Sequence, residues 1–302
     1  MSETRAGFVA LIGEPNAGKS TLTNAMVGAK VSIVTHKVQT TRARIRGVAI
    51  EGESQLVLVD TPGLFRPRRH LDRAMVAAAW SGAADADVVV LLIEAHRGLT
   101  DGVRAILGAL KERAVPGEKV ALAINKIDRV PRDQLLALTA EMTAAFEFVQ
   151  VFMISAEKGY GVDDLRAWLA AKVPVGPWLY PEDQIADLPM RMIAAEITRE
   201  KLTLRLHQEL PYQLTVETEN WEERKDGSVR IDQVIYVARD GHKGIALGPK
   251  GETIKAISMA AREELTEFLD RKVHLFLQVK VRPNWLEEPE RYSEMGLDYS
   301  DG

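Results

Sequence analysis

The sequence predicts a mainly parallel α/β domain followed by a smaller α+β domain. Apolar strand-like runs alternate with helical spacing through the first half, prolines break every period between residues 174 and 189, and a second set of alternating strands lies beyond. Strands that are apolar throughout, separated by helices, specify a parallel sheet covered on both faces. At 302 residues the chain is long for one compact domain and ample for two.

The first strand, Phe8 to Ile12, runs into Gly13-Glu14-Pro15-Asn16-Ala17-Gly18-Lys19-Ser20, the G-x-x-x-x-G-K-S spacing of a phosphate-binding loop. Thr21 to Val27 follows with the helical spacing of Leu22, Ala25 and Met26. Glycines at 13 and 18 let successive N–H groups turn toward phosphate oxygens, and the helix that opens there points its positive end at the same anion. Lys19 then reaches the β- and γ-phosphates, and the Ser20 hydroxyl is placed for Mg²⁺. Alone, the motif leaves ATP, GTP and the reaction open, and a glycine turn that binds nothing is the bland alternative.

Ala29 to Thr41 lacks a period and reads as a long loop crossing the nucleotide site. It ends in Gln39-Thr40-Thr41-Arg42, where Thr41 would complete Mg²⁺ coordination once a γ-phosphate is present. Taken alone, a threonine pair starting a strand is the simpler reading. Val48 to Ile50 and Leu56 to Val59 are neighbouring strands, and the second ends in Asp60-Thr61-Pro62-Gly63. Ligands of open α/β sheets collect at such strand ends, so Asp60 is a Mg²⁺ candidate and the Gly63 N–H a γ-phosphate donor. Lys19, Thr41 and Gly63 are thus the candidate catalytic groups, and Ser20, Thr41 and Asp60 the candidate metal set.

Arg66 to Arg73 is basic and reads as a solvated face before an alanine-rich helix reaching Ala84. Val88 to Ile93 is a strand, Gly102 to Glu112 a helix and Val120 to Ile124 a strand. That strand ends in Asn125-Lys126-Ile127-Asp128, the N-K-x-D order that reads guanine. The Asp128 carboxylate accepts from guanine N1–H and the 2-amine; adenine has neither donor there, and leaving a charged acceptor unpaired discriminates by about 10⁴ to 10⁵. Asp128 could also simply cap the helix Asp133 to Ala145. Val149 to Ile154 ends in Ser155-Ala156-Glu157-Lys158-Gly159, with the Ala156 N–H aimed at guanine O6 and Ser155 bracing the loop. The helix Asp163 to Lys172 closes the domain.

These five motifs, in order and each at a strand end, make residues 5–173 resemble a translation-factor-type small GTPase domain, and the Q-T-T-R and D-T-P-G forms are similar to its TrmE-Era-like branch. The resemblance implies a nucleotide site built from residues 13 to 21, from Asp60, Thr61, Pro62 and Gly63, from Asn125, Lys126 and Asp128, and from Ser155 and Ala156. It implies GTP or GDP with Mg²⁺. Leu64 stands where Ras-type proteins carry the water-positioning glutamine, which implies slow intrinsic hydrolysis. Asn16 matches the branch members that hold K⁺ between the phosphates.

Residues 174–189 carry Pro174, Pro177, Pro181 and Pro189 and read as a semi-rigid linker. Residues 190–285 then give a helix to Leu206, strands Tyr212 to Glu219 and Val229 to Arg239, and a helix. Gly248-Pro249-Lys250-Gly251 follows, then a long helix to about Leu269 and a strand Val273 to Val281. This order resembles a bacterial-type, type II KH domain. Gly248 and Gly251 let the backbone approach a nucleic-acid phosphate, with Lys250 and Lys255 adding charge and Lys243 and Arg262 as further candidates. Pro249 lacks an N–H, which removes one backbone contact. Of the five tryptophans, Trp168 and Trp178 read as packing or linker anchors, whereas Trp221 and Trp285 receive no role. Residues 286–302 read as a polar, mobile tail.

A net charge of −4 opposes indiscriminate nucleic-acid binding but permits a local patch. There is no cysteine, so disulfides and cysteine chemistry are excluded. No apolar segment approaches a membrane span, and Met1 to Arg5 is polar and too short for a signal peptide, so the expectation is a soluble intracellular protein. The two resemblances together imply a monomeric, cytoplasmic GTPase that binds 16S rRNA near its 3′ end and assists assembly of the 30S subunit, with peripheral association at the inner membrane. The rivals are a metabolic P-loop ATPase or kinase, which Asn125 to Asp128 opposes, and a GTPase that scaffolds membranes or proteins.

Overall fold

The computed structural model describes residues 3–35, 45–67, 69–182, 184–186, 189–207, 210–283, 285–295 and 297–301. Its packing divides the chain into two units, one of Met1–Ser32, Thr41–Asp187 and Ser293–Gly302, the other of Ile33–Thr40 and Leu188–Tyr292.

In the first unit β1 (Arg5–Gly13), α1 (Lys19–Val27), β2 (Ile45–Glu51), β3 (Ser54–Asp60), α2 (His70–Asp85), β4 (Val88–Glu94), α3 (Asp101–Glu112), β5 (Val120–Asn125), α4 (Arg132–Ala145), β6 (Gln150–Met153) and α5 (Val162–Lys172) follow in order. The sheet order is β2-β3-β1-β4-β5-β6. Every pairing is parallel except β2 with β3, whose short turn forces a hairpin. The central strands are buried on both faces, which is why they read as unbroken apolar runs. One apolar cluster joins the sheet to α2, α3 and α4, the other to α1 and α5. Because β1 pairs with β3 on one side and β4 on the other, the strand order reverses beside it. The crevice at its carboxyl end is therefore where a ligand fits.

The described residues of 174–186 are hydrogen-bonded to the first unit. Leu179 and Tyr180 N–H groups donate to the buried Gln55 Oε1 at 2.8 and 3.0 Å, and Gln55 Nε2 donates back to the Tyr180 carbonyl at 2.8 Å. The Trp178 indole donates to the Glu53 carbonyl, and the Val48 N–H to the Ile185 carbonyl. Proline prevents a helix here but leaves the Ile185 carbonyl for the exposed edge of β2, and the Trp178 indole for a carbonyl of the β2–β3 turn.

In the second unit α6 (Met190–Arg205), β7 (Leu214–Glu223), β8 (Val229–Val237), α7 (Asp240–Leu247), α8 (Glu252–Leu269) and β9 (Val273–Val281) build a sheet in the order β7-β8-β9. β7 and β8 form an antiparallel hairpin, whereas β8 and β9 are parallel across the α7–α8 crossover. Two apolar clusters underlie the helices. The buried Gln233 on β8 accepts from Thr198 of α6 at 2.6 Å and donates to Thr218 of β7 at 3.2 Å.

Several described residues in and just before the tail are packed. Trp285 is buried and donates to the Gln213 carbonyl at 3.3 Å, a role its isolated position in the sequence did not announce. A short helix α9 (Pro289–Glu294) carries buried Tyr292. Leu297 is buried as well, and the Tyr299 ring lies 4.5 Å from that of His70. Trp168 packs edge-on against Phe152 and Trp221 joins an apolar cluster.

Candidate nucleotide and nucleic-acid sites

The phosphate loop joins β1 to α1. Gly18 caps α1 in the left-handed region at φ 100°, and a Cβ there would lie 2.2 Å from Asn125 Nδ2. The N-cap of α1 is a glycine with no side chain to offer the first turn, and a helix start of this kind suits an anion. Asn16 also takes a left-handed conformation at φ 68°. Pro15 and Ala17 complete the turn, closed by the Ala17 N–H donating to the Glu14 carbonyl at 3.3 Å.

Lys19 is buried, and its ammonium donates to the carbonyls of Gly13 at 3.1 Å and Glu14 at 3.0 Å. Burial lowers its pKa to about 8, against the opposing pull of Asp60, Glu14 and Glu94. A lysine so poorly solvated is ready for phosphate oxygens.

Asp60, at the end of β3, is fully buried. Its Oδ2 accepts from the hydroxyls of Ser20 at 2.7 Å and Ser32 at 2.6 Å, while Oδ1 has no hydrogen-bond partner among the described residues. Burial raises its pKa, and the hydrogen bonds from Ser32 and Ser20 and the charge of Lys19 oppose this. An orphaned carboxylate oxygen beside a serine hydroxyl, with only oxygen donors present, fits a hard cation such as Mg²⁺. Ser20 and Asp60 would hold it. The third candidate, Thr41, and the rest of Gln39 to Arg42 lie outside the described residues.

Ser32 was not legible from spacing. Asn24 of α1 accepts from the Val31 and Ser32 N–H groups, each at 2.9 Å, and donates to the Ser32 carbonyl at 2.7 Å. This three-bond clamp fixes the start of the crossing loop, and nothing in the sequence pairs position 24 with 32.

The segment after β3 is held closely against β1 and the phosphate loop. The Thr61 hydroxyl donates to the Leu11 carbonyl at 2.6 Å, so its proton braces β1. Pro62 is buried, and Gly63 packs so tightly on Pro15 that a Cβ would lie 2.7 Å from its nitrogen. The Leu64 N–H donates to the Gly13 carbonyl at 2.9 Å, and its side chain is buried in the core. Thr21 is half-buried in the first turn of α1.

On the base side, Asn125 Nδ2 donates to the Ala17 carbonyl at 2.8 Å, tying β5 to the phosphate loop. Its Oδ1 accepts from Lys126 N at 2.8 Å and Ala156 N at 3.0 Å. The Ala156 N–H expected to face guanine O6 is therefore held by Asn125. Lys126, left-handed at φ 64°, donates to the Asn16 carbonyl at 2.7 Å and pairs with Glu94 at 2.5 Å. Glu94 ends β4, and the strand-end rule could have singled it out. Asp128 is exposed, and a hydrogen bond from Ser155 is the main influence holding its carboxylate below the usual range. It does not cap α4, whose N-cap is Pro131. Ser155 is buried and accepts from the Lys158 N–H at 3.3 Å, bracing its loop.

In the second unit α7 and α8 meet at Gly248 to Gly251. Three of these four residues have positive φ: Gly248 at 72°, Lys250 at 50° and Gly251 at 79°. Gly251 caps α8 without any side-chain hydrogen bond, leaving that helix end open. Pro249, Lys250 and Lys255 are exposed, with Lys243 half-buried on α7. Arg262 is exposed about 10 Å further along α8. Ile245 is 56% exposed on α7 beside the loop, an apolar surface against which a base can rest.

Comparison with known proteins bears on both sites. The family described as 50S ribosome-binding GTPase matches residues 8–126, and the KH domain family matches residues 209–286. A protein of Dinoroseobacter shibae named GTPase Era is 82% identical, over 99% of this chain and 97% of that one. The GTPase Era of Rhizobium meliloti is 64% identical over 98% of this chain and 94% of that one. Among solved structures, Era in complex with MgGDPNP and nucleotides 1506–1542 of 16S ribosomal RNA superposes with a TM-score of 0.90 at 37% identity, covering 97% of this chain and 99% of that one. An Aquifex aeolicus Era variant bound to GDP.AlF4- gives 0.91 at 37% identity with the same coverage.

Proposed function

The chain belongs to the Era family of GTPases, and from that premise we propose that it is a GTP-driven switch whose KH domain binds 16S rRNA near the 3′ end and assists assembly of the small ribosomal subunit. It uses GTP and GDP with Mg²⁺. One observation carries the reading: a guanine-directed nucleotide site and an open Gly-x-x-Gly helix end occur on one chain. The solved complex of a relative 37% identical with a 16S fragment supports the target.

Each residue has a defined task. The N–H groups at the start of α1 and the Lys19 ammonium receive the phosphates, and Asp128 selects guanine. Mg²⁺, when bound, offsets charge on the phosphates. Leu64 is buried in the core and cannot reach a water, so hydrolysis by this chain alone is slow. A monovalent cation at Asn16 extends the proposal; exchanging K⁺ for Na⁺ during turnover tests it.

Two measurements test the main reading. GTP must bind at least about 10²-fold tighter than ATP, with Asp128→Asn losing most of that preference, because an amide presents a donor to the two guanine donors. A fragment of the 16S 3′ end must bind wild type, and Gly251→Asp must abolish it in a protein that still binds GDP. Equal GTP and ATP binding would sink the first half, and unchanged RNA affinity the second. A cytoplasmic location follows from a ribosomal target. Peripheral membrane association is a separate proposal, tested by flotation with anionic vesicles; among the described residues no helix is long and apolar enough to cross a membrane.

A further inference from the structure

We propose that Glu14 is a positioning residue for the nucleotide reaction, latched by its side chain to the start of α3 through Thr100 and Gly102. The proposal rests on nucleotide binding at the phosphate loop and assigns a task to a position that the G-x-x-x-x-G-K-S spacing leaves open.

The latch has two halves. Glu14 Oε2 accepts from the Thr100 hydroxyl at 2.7 Å, while that same hydroxyl caps α3 by accepting from the Val103 N–H at 3.0 Å. A hydroxyl has one proton, so Thr100 directs it at Glu14 and turns a lone pair to the helix. The second half is steric. A Cβ on Gly102 would sit 2.0 Å from Glu14 Oε1, so the carboxylate lies where any larger residue at 102 would stand.

The main chain of Glu14 does the complementary work. Its carbonyl accepts from Lys19 Nζ at 3.0 Å and from the Ala17 N–H at 3.3 Å. The residue anchored in α3 is thus the one that orients the phosphate-binding lysine and closes the loop. Asn125 and Lys126 grip the loop at residues 17 and 16 from the base side. Glu14 ties it to the start of α3, through a contact that involves neither Asn125 nor Lys126.

The latch also solves an electrostatic problem. An acid in a phosphate loop repels its ligand unless it is turned away, and the positive end of the twelve-residue α3 together with the Thr100 hydroxyl stabilises the carboxylate in that position. A Glu14 freed from the latch but still charged is therefore worse than no side chain at all.

That ordering gives the test. GDP affinity and dissociation rate are measured with a fluorescent GDP analogue on the full chain, alongside melting temperature. Gly102→Ala, which keeps the Thr100 cap, should weaken GDP about tenfold, as losing one charge-assisted hydrogen bond requires. Thr100→Val should do the same, and KM for GTP should rise more than kcat falls. Glu14→Ala should cost less than Gly102→Ala, and Glu14→Ala in the Gly102→Ala background should restore affinity to that of Glu14→Ala alone. Unchanged GDP affinity in Gly102→Ala, with or without a lower melting temperature, overturns the latch; so does failure of the double variant to recover. Tight GDP binding by wild type keeps either failure separate from failure of the nucleotide-site reading itself.

Discussion

The Ser32 hydroxyl donates to Asp60 Oδ2 at 2.6 Å, beside the Ser20 hydroxyl that donates to the same oxygen. Two donors thus hold one oxygen of a fully buried carboxylate and leave the other bare. Ser32→Ala should destabilise the nucleotide-free protein by about 1.5 to 3 kcal/mol, the usual worth of a hydrogen bond to a charged group. Mg²⁺ with GDP should recover part of that loss, because a cation compensates the same carboxylate. Melting curves with and without Mg²⁺ and GDP decide it, and an equal loss in both conditions would contradict the metal role of Asp60.

Lys19 makes the protein's stability pH-dependent in a defined direction. Its folded pKa of about 8 lies below the ordinary value of 10.5, so between these values the unfolded chain binds more protons. The penalty of burying a charged lysine is complete below pH 8 and is relieved as pH rises toward 10.5. Relative to Lys19→Met, nucleotide-free wild type should gain on the order of 3 kcal/mol across that window. Denaturant titrations at pH 7.5 and 10 check this. Phosphate restores the charged lysine, so GDP binding at pH 9 should take up a proton, visible as a dependence of calorimetric heat on buffer ionisation enthalpy.

Leu64 occupies the place of a water-positioning glutamine but faces inward, buried with Ile12 and Trp80 in one apolar cluster. Leu64→Gln should therefore not accelerate hydrolysis. Burying an amide there should instead lower stability by about 2 kcal/mol. Single-turnover hydrolysis and a denaturation curve on the same sample check both parts, and a faster rate would show that the segment can turn outward.

Gln55 holds residues 179 and 180 by three hydrogen bonds from a fully buried position. Gln55→Leu keeps the volume and removes the polar partners, at a cost of about 3 kcal/mol. Limited proteolysis should then cut within residues 174–186 before the rest of the domain; cutting no faster than in wild type would mean that the remaining contacts suffice.

Gly248 and Gly251 should respond unequally to alanine. Gly251 is in the left-handed region, costing about 1 to 2 kcal/mol for any L-residue, and Gly248 at φ 72° and ψ 174° is in a region essentially restricted to glycine. At 251 a Cβ meets open space, whereas at 248 it would sit 2.0 Å from Thr253 Oγ1. Gly248→Ala should lower the melting temperature more, while Gly251→Ala should leave a folded protein whose RNA affinity can be read. Equal melting temperatures would contradict the packing at Gly248.

The sequence by itself determined the fold class, the element order and the placement of the candidate nucleotide residues at strand ends. Strands buried on both faces read as continuous apolar runs, and the site residues cluster at strand ends where the chain leaves the sheet, so a linear motif keeps its meaning in space. The guanine motif and the phosphate loop are local for that reason. What depended on distant pairing was not legible. Asn24 with Ser32, Glu14 with Thr100 and Gly102, and Gln55 with residues 179 and 180 join segments whose spacing carries no signal. The prolines of residues 174–189 and the polarity of the tail carry no signal of which strands, turns or rings their residues meet. Whether such a segment swings free or lies hydrogen-bonded along a sheet edge depends on what the fold leaves unpaired beside it. The same holds for Ala156, whose N–H is local in origin but is claimed by Asn125 because two strand ends meet. Backbone conformation and burial pattern are short-range and were read from the residues; hydrogen-bond partnership across the fold was decided by the tertiary structure.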